Sequence, residues 1–128
     1  MNRLRFGGTS WVIPGSFAEN LRVLAEDVGD MELVLFDTPQ ASNIPSAAEV
    51  RELASFCSEL DMTCTVHFAQ DICASVSLAD RTKTEDSALR LMDLFTSLDP
   101  FAWIVHFCGE RRGPSPSADM ARWLDNTQ

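Results

Sequence analysis

The chain has two histidines, and they occupy nearly the same local sequence. His67 lies in "TVHF" and His106 in "IVHF", each after a valine and before a phenylalanine. Neutral imidazole is a common ligand of zinc, iron and other divalent ions. If both apolar runs are strands of one parallel sheet, the two imidazoles meet at its carboxyl edge, where such folds carry their sites. The repeated pattern therefore predicts a shared metal site.

The elements that must position these histidines can be read from hydrophobic periodicity. Apolar runs predict four strands, at residues 4–11, 31–36, 62–68 and 101–107. Helical spacing predicts four helices, at residues 17–28, 46–60, 84–98 and 118–128, and serines are expected to cap the first two. Residues 69–81 show no clear period and are expected to form a long loop that covers a site.

Strand and helix alternate throughout, which predicts an α/β fold with a parallel sheet and a single domain over residues 1–128. Four βα units are half of an eight-unit TIM barrel. We therefore expect either an open α/β layer or a half-barrel (βα)4. A half-barrel would have free strand edges, through which the chain would form a homo-oligomer or join the other half of a longer barrel.

Alternation along a strand predicts which side chains face the site. Successive side chains point to opposite faces, so His67 shares one face with Thr65 and Thr63, while Val66 and Cys64 turn toward the helices. The same rule places Ala102 and Ile104 with His106.

Two carboxylates are candidates for chemistry beside the histidines. Asp37 directly follows the second predicted strand and is the candidate catalytic residue. Asp71 comes four residues after His67, and an ordinary loop role is favoured for it. The alternative for a histidine is a hydrogen-bonded residue on the rim of the sheet, and the alternative for Asp37 is a capping or loop carboxylate.

Composition limits which binding partners and which cellular location are expected. The formal net charge of -9 would repel a phosphate backbone, so nucleic-acid binding is not expected. No signal-peptide core or membrane-length apolar segment is present in the sequence, so no membrane partner and a cytoplasmic location are expected. The four cysteines contain no C-x-x-C pair, which indicates reduced thiols rather than a disulfide framework or a zinc knot.

Four segments carry a resemblance to a known family: "GTSWVIPGSFAENLRVLA", "MELVLFDTP", "TVHFAQD" and "LDPFAWIVHFCGE". Together they resemble the amino-terminal half of the cobamide-remodelling phosphodiesterases. That family belongs to the xylose-isomerase-like, or AP-endonuclease-family-2-like, TIM barrels. The resemblance extends to about Glu110.

The resemblance implies a metal-dependent hydrolase that cleaves a phosphodiester in the nucleotide loop of a corrinoid. It implies His67 and His106 as metal ligands, with zinc the first ion expected, and it places Asp37 where the family more usually has glutamate. Asp71 also falls on an acidic position. In the family the second half of the barrel supplies further ligands, so two copies would have to pair if this chain acts by itself.

Two other functions stay open from the sequence. One is a sugar-phosphate isomerase or epimerase of the same superfamily, which would rearrange a sugar substrate rather than hydrolyse a corrinoid or another phosphoester. The other is a noncatalytic half-barrel that oligomerises through its strand edges.

Overall fold

The structure, a computed structural model, describes residues 5–73 and 78–108. Those residues form a mixed α/β fold with the elements β1 (Gly7–Thr9), α1 (Phe17–Leu24), β2 (Asp30–Val34), α2 (Ala47–Leu60), β3 (Thr63–His67), β4 (Ile72–Cys73), α3 (Leu78–Leu94), β5 (Ala102–Ile104) and β6 (Phe107–Cys108). Four strands form a parallel sheet in the order β1-β2-β3-β5, and β4 pairs with β6 in a second parallel sheet. The predicted helix at 118–128 lies outside the described residues.

The two central strands show a strict alternation of buried and half-buried residues. In β3, Cys64 and Val66 are buried while Thr63, Thr65 and His67 are half-buried. β2 repeats the pattern, with Met31 and Leu33 fully buried. The buried strand residues pack with residues from the helical side, namely Leu21, Leu24, Val50, Leu53, Cys57, Phe95 and Leu98. All three helices therefore cover one face of the sheet, and the predicted facing of His67 is confirmed.

Two capping boxes start the first two helices. The Ser16 hydroxyl accepts a hydrogen bond from the Glu19 N–H while the Glu19 carboxylate accepts one from the Ser16 N–H, and Ser46 and Glu49 repeat this arrangement. The reciprocal bonds satisfy N–H groups that have no partner within the helix. The helix starts predicted at these two serines are thus confirmed.

Several element boundaries differ from the sequence prediction. α1 ends at Leu24 instead of Val28, and β2 ends at Val34, so that Asp37 lies three residues beyond the strand. α3 begins inside the predicted 69–81 loop, at Leu78, and ends at Leu94. Phe95 and Leu98 still reach the core from the turn that follows α3. Among the described helices none is long and apolar enough to cross a membrane.

The fourth predicted strand is interrupted. β5 ends at Ile104, and after a break at Val105 and His106 the chain pairs again as β6, but with β4 rather than with β3. β4 lies in the segment predicted as a structureless loop, so that prediction was wrong over Ile72–Cys73. Strands of two residues leave no periodic signal in a sequence, because alternation needs about four residues to be recognised.

One buried amide organises the loop between β1 and α1. Asn20 is fully buried, and its Oδ1 accepts hydrogen bonds from the N–H groups of Val12 and Ile13, at 2.9 and 3.0 Å. Its Nδ2 donates to the carbonyl oxygens of Ile13 and Ser16, at 3.2 and 3.0 Å. A single side chain therefore replaces the backbone partners that this loop lacks.

Replacing Asn20 with alanine should destabilise the protein. Asn20→Ala removes the side-chain acceptor and donor that pair with part-buried backbone groups. We therefore expect a loss of about 1–3 kcal/mol in the free energy of unfolding. Urea denaturation followed by circular dichroism measures this loss. Gln40→Ala is the control, since Gln40 is an exposed amide, and its effect should stay within about 0.5 kcal/mol. Equal midpoints for the two variants would contradict the role assigned to Asn20.

Candidate metal centre

His67 is fixed at the carboxyl end of the central strand β3. It pairs in register with Val34 of β2 on one side and with Ile104 of β5 on the other. Its Nδ1 lies 3.0 Å from the carbonyl oxygen of Phe68. A carbonyl can only accept, so this contact requires the proton on Nδ1 and leaves the Nε2 lone pair free.

His106 is positioned by the small second sheet. Its carbonyl oxygen accepts a hydrogen bond from the Ile72 N–H at 2.8 Å, at the start of the β4–β6 pairing. This pairing brings Asp71 next to the imidazole, with Oδ1 3.3 Å from Nδ1. An ionised carboxylate also only accepts, so the contact favours a proton on Nδ1 of His106. Both side chains are more than half exposed, at 61% and 53%, so this ion pair contributes little to stability.

The two imidazoles meet through their remaining nitrogens. The Nε2 atoms of His67 and His106 are 3.3 Å apart, and the rings lie edge to face with centroids 4.7 Å apart and planes at 86°. With both Nδ1 atoms protonated, two neutral rings would point lone pairs at each other. A positive charge shared by the two nitrogens removes that repulsion, whether it is a proton or a metal ion.

The nitrogen separation also fits a metal ion. Two nitrogens bound at about 2.0–2.1 Å to a tetrahedral zinc ion lie about 3.3 Å apart, which is the distance between these Nε2 atoms. In metal sites the second nitrogen of a ligating histidine usually donates to a carboxylate or a backbone carbonyl. Asp71 and the Phe68 carbonyl stand at those positions here. The residues present therefore fit a divalent cation.

Two histidines leave most of the coordination sphere of such an ion open. No group of three or more histidine, cysteine or acidic side chains suited to a metal occurs within residues 5–73 and 78–108. Catalytic zinc sites commonly use three protein ligands plus water or substrate.

Asp37 lies on the loop after β2 and is exposed. Its backbone forms an isolated antiparallel bridge with Ser42, which folds residues 37–42 back on themselves. Within the described part of the chain, no hydrogen bond or ion pair joins the Asp37 carboxylate to either histidine. Asp37 thus stays a predicted catalytic residue at the rim, whereas the carboxylate that contacts a histidine is Asp71.

Sequence reasoning did not identify this role of Asp71. The four-residue spacing after His67 gave no reason to place it against His106, because the contact depends on the short pairing of β4 with β6. Sequence reasoning also missed Glu32, which alternation places on the same sheet face as His67, in register with Thr65.

Two cysteines behind the site are structural. The Sγ atoms of Cys57 on α2 and Cys64 on β3 are 3.4 Å apart, and both residues are buried. The hydrogen bond with Cys57 and burial both raise the pKa of the Cys64 thiol. A neutral buried thiol is a poor metal ligand, so these residues belong to the core that supports β3.

No protein-family model matches this chain, and no curated protein matches it. The assignment of a candidate metal site to the two histidines therefore depends on their geometry.

The geometry predicts different consequences for the two carboxylates. Asp71→Asn should lower the affinity for zinc about 10- to 100-fold. The neutral amide would hold the Nδ1 proton of His106 less strongly than the aspartate carboxylate does. Asp37→Asn, which removes an equal charge from the rim, should leave the affinity within about twofold because exposed charges without contact are screened. Competition titration with a chromophoric chelator measures the zinc affinity of both variants. Equal affinities for the two variants would contradict the orienting role of Asp71.

Proposed function

We propose that this chain is one half of a metal-dependent TIM-barrel phosphodiesterase in which His67 and His106 hold a divalent cation, with zinc the first choice. The observation that carries the proposal is the paired geometry of the imidazoles. Their Nε2 atoms are 3.3 Å apart while each Nδ1 contacts an oxygen acceptor. This separation matches that of two nitrogens on one zinc ion, and the Nδ1 contacts match those of ligating histidines.

The covering of the sheet supports the half-barrel part of the proposal. In doubly wound α/β folds helices cover both faces of the sheet. Here the described helices pack on the face of Met31, Leu33 and Val66, and the opposite face carries Glu32, Thr65 and His67. In a barrel that second face would be the interior, and the strand ends with His67 would form the rim of the active site.

The residues of the chain have separate roles in the proposed reaction. Asp71 and the Phe68 carbonyl would hold the Nδ1 protons and so leave both Nε2 atoms available to the cation. When bound there, a divalent cation would act as a Lewis acid on a phosphoryl oxygen and lower the pKa of a water molecule. Asp37, exposed on the rim, would orient that water or the substrate.

The substrate class comes from the family resemblance. The segments around residues 8–25, 31–39, 65–71 and 98–110 resemble cobamide-remodelling phosphodiesterases, so we propose a phosphodiester in the nucleotide loop of a corrinoid as substrate. A sugar-phosphate isomerase or epimerase is the alternative within the same superfamily. Turnover of one substrate class and not the other separates the two activities.

A noncatalytic half-barrel that oligomerises is the second candidate function. Both edge strands are preceded by an exposed aromatic side chain, Phe6 before β1 at 68% exposure and Phe101 before β5 at 77%. A second copy that closes the barrel would cover both rings and pair both free strand edges. This candidate predicts a dimer that holds no metal.

Elemental analysis of purified protein, with its mass from light scattering, tests the proposal. We expect about one divalent ion per chain, because each chain contributes one histidine pair, or one per dimer if the two pairs share an ion. The double variant His67→Ala, His106→Ala should lose the ion. The loaded protein should hydrolyse a corrinoid phosphodiester, and the double variant should not. Arg51→Ala, an exposed position on α2, is the matched control and should keep both metal and activity.

Two results would contradict the proposal. A dimer without metal after reconstitution with zinc would favour the noncatalytic candidate. Metal retained in full by the double variant would place the ion elsewhere in the chain.

A further inference from the structure

A pair of thiols lies in the core on the helical side of the sheet, separate from the candidate metal site. Cys57 belongs to the last turns of α2 and Cys64 to β3, and their Sγ atoms are 3.4 Å apart. Both are free thiols. The sulfurs of a disulfide are about 2.05 Å apart, so an approach of about 1.4 Å would allow these two atoms to bond.

The turn between α2 and β3 brings the two thiols together. The carbonyl oxygen of Cys57 accepts hydrogen bonds from the N–H groups of Asp61 and Met62, the second at 2.9 Å. Asp61 has a left-handed backbone, with φ of 52°, which is a common way to end a helix. The chain therefore reverses within a few residues, and alternation along β3 turns Cys64 toward the helix.

The backbones that carry the two thiols differ in how firmly they are held. β3 pairs with β2 on one side and with β5 on the other, and the Cys64 carbonyl oxygen accepts a hydrogen bond from the Phe101 N–H at 2.8 Å. Cys57 lies three residues before the end of α2 at Leu60, and the ends of helices fray. The last turn of α2 would therefore make the approach, while β3 keeps its register.

Hydrogen bonding and exposure give the two sulfurs different roles. The hydrogen bond with the Cys64 thiol lowers the pKa of Cys57, against the opposing effects of burial and of the Asp30 carboxylate. The same hydrogen bond and burial raise the pKa of Cys64. Cys57 is also the more exposed residue, at 8% against 3%. Because the thiolate is the reactive form, Cys57 is the sulfur that an oxidant meets first, and Cys64 supplies the second thiol.

We infer that Cys57 and Cys64 form a site of reversible oxidation, at which hydrogen peroxide converts the two thiols into a disulfide between α2 and β3. The disulfide would tie the helical layer to the strand that ends at His67. The inference does not depend on the proposed function, because Cys64 lies on the face of β3 opposite to His67 and the reaction needs no metal.

The oxidation has two steps. The Cys57 thiolate attacks one oxygen of the peroxide, so that an S–O bond forms and the O–O bond breaks, and the released hydroxide takes up the proton that Cys57 gave up. The Cys64 sulfur then attacks the sulfur of the Cys57 sulfenic acid, so that the S–S bond forms and the S–O bond breaks. The departing hydroxide takes the Cys64 proton. One peroxide is thus reduced to two water molecules while two thiols are oxidised to one disulfide.

Peptide mapping of the full chain by mass spectrometry, after treatment of the folded protein with hydrogen peroxide, tests the inference. A protease that cuts after glutamate and aspartate leaves Cys57 in residues 53–59 and Cys64 in residues 62–71, apart from the other two cysteines. We expect a disulfide-linked pair of these two peptides, at least about fivefold more abundant after peroxide than before. Dithiothreitol should separate the pair, because thiol–disulfide exchange reverses the oxidation.

Three serine variants, each checked for folding by circular dichroism, test the roles of the thiols. In Cys64→Ser the hydroxyl can still donate a hydrogen bond to Cys57 but cannot form a disulfide, so peroxide should leave Cys57 as a sulfenic acid that dimedone labels. Cys57→Ser should leave Cys64 unlabelled, because a buried neutral thiol reacts poorly. Cys73→Ser is the matched control, since it replaces a cysteine outside the pair, and its yield of the linked peptides should stay within about twofold of the wild type.

The outcomes decide the inference whether or not the histidines bind metal. Linked peptides from the folded wild type, with dimedone on Cys57 in Cys64→Ser, would support it. Three results would overturn it: thiols that stay free after peroxide, a link that forms only in urea, or a link from Cys57 to a cysteine other than Cys64. Dimedone on Cys64 in folded Cys57→Ser, with none on Cys57 in Cys64→Ser, would overturn the assigned order of the two steps.

Discussion

The site depends on one constraint, the alternation of β3 between an apolar and an open face. Cys64 and Val66 are held under the helices, and this fixes Thr65 and His67 on the other side of the sheet. A slip of one residue would turn His67 into the core and expose Val66, which would bury a polar ring among apolar side chains. Core packing behind the strand therefore determines the direction of the imidazole in front of it.

The second histidine is held in a different way. His106 follows the break after β5, and its position depends on the pairing of two-residue strands, beginning with the hydrogen bond from the Ile72 N–H to its carbonyl oxygen. The same pairing places the Asp71 carboxylate beside the imidazole of His106. One histidine thus lies at the end of the central sheet, and the other lies directly before a strand of the small second sheet. A cation bound by both would link the two sheets and so stabilise the second one.

The parts of the fold that the sequence predicted correctly are those with strong local signals. The caps at Ser16 and Ser46 follow from hydrogen-bond chemistry within four residues, and the facing of His67 follows from the period of a strand buried on one side. The prediction placed the start of α3 too late, because its first turns, Leu78 to Lys83, carry no apolar stripe that the sequence would reveal. The contact between Asp71 and His106 could not be predicted, since it arises from a pairing too short to have a sequence pattern.

The central claim is that both imidazoles bind the same ion, and X-ray absorption at the zinc edge tests it most directly. The zinc-loaded protein should show two imidazole ligands with nitrogens at about 2.0–2.1 Å, with the remaining scattering from oxygen or nitrogen. Fewer than two imidazoles, or sulfur at about 2.3 Å, would contradict the account, because the ion would then lie at cysteines or at the surface rather than between His67 and His106.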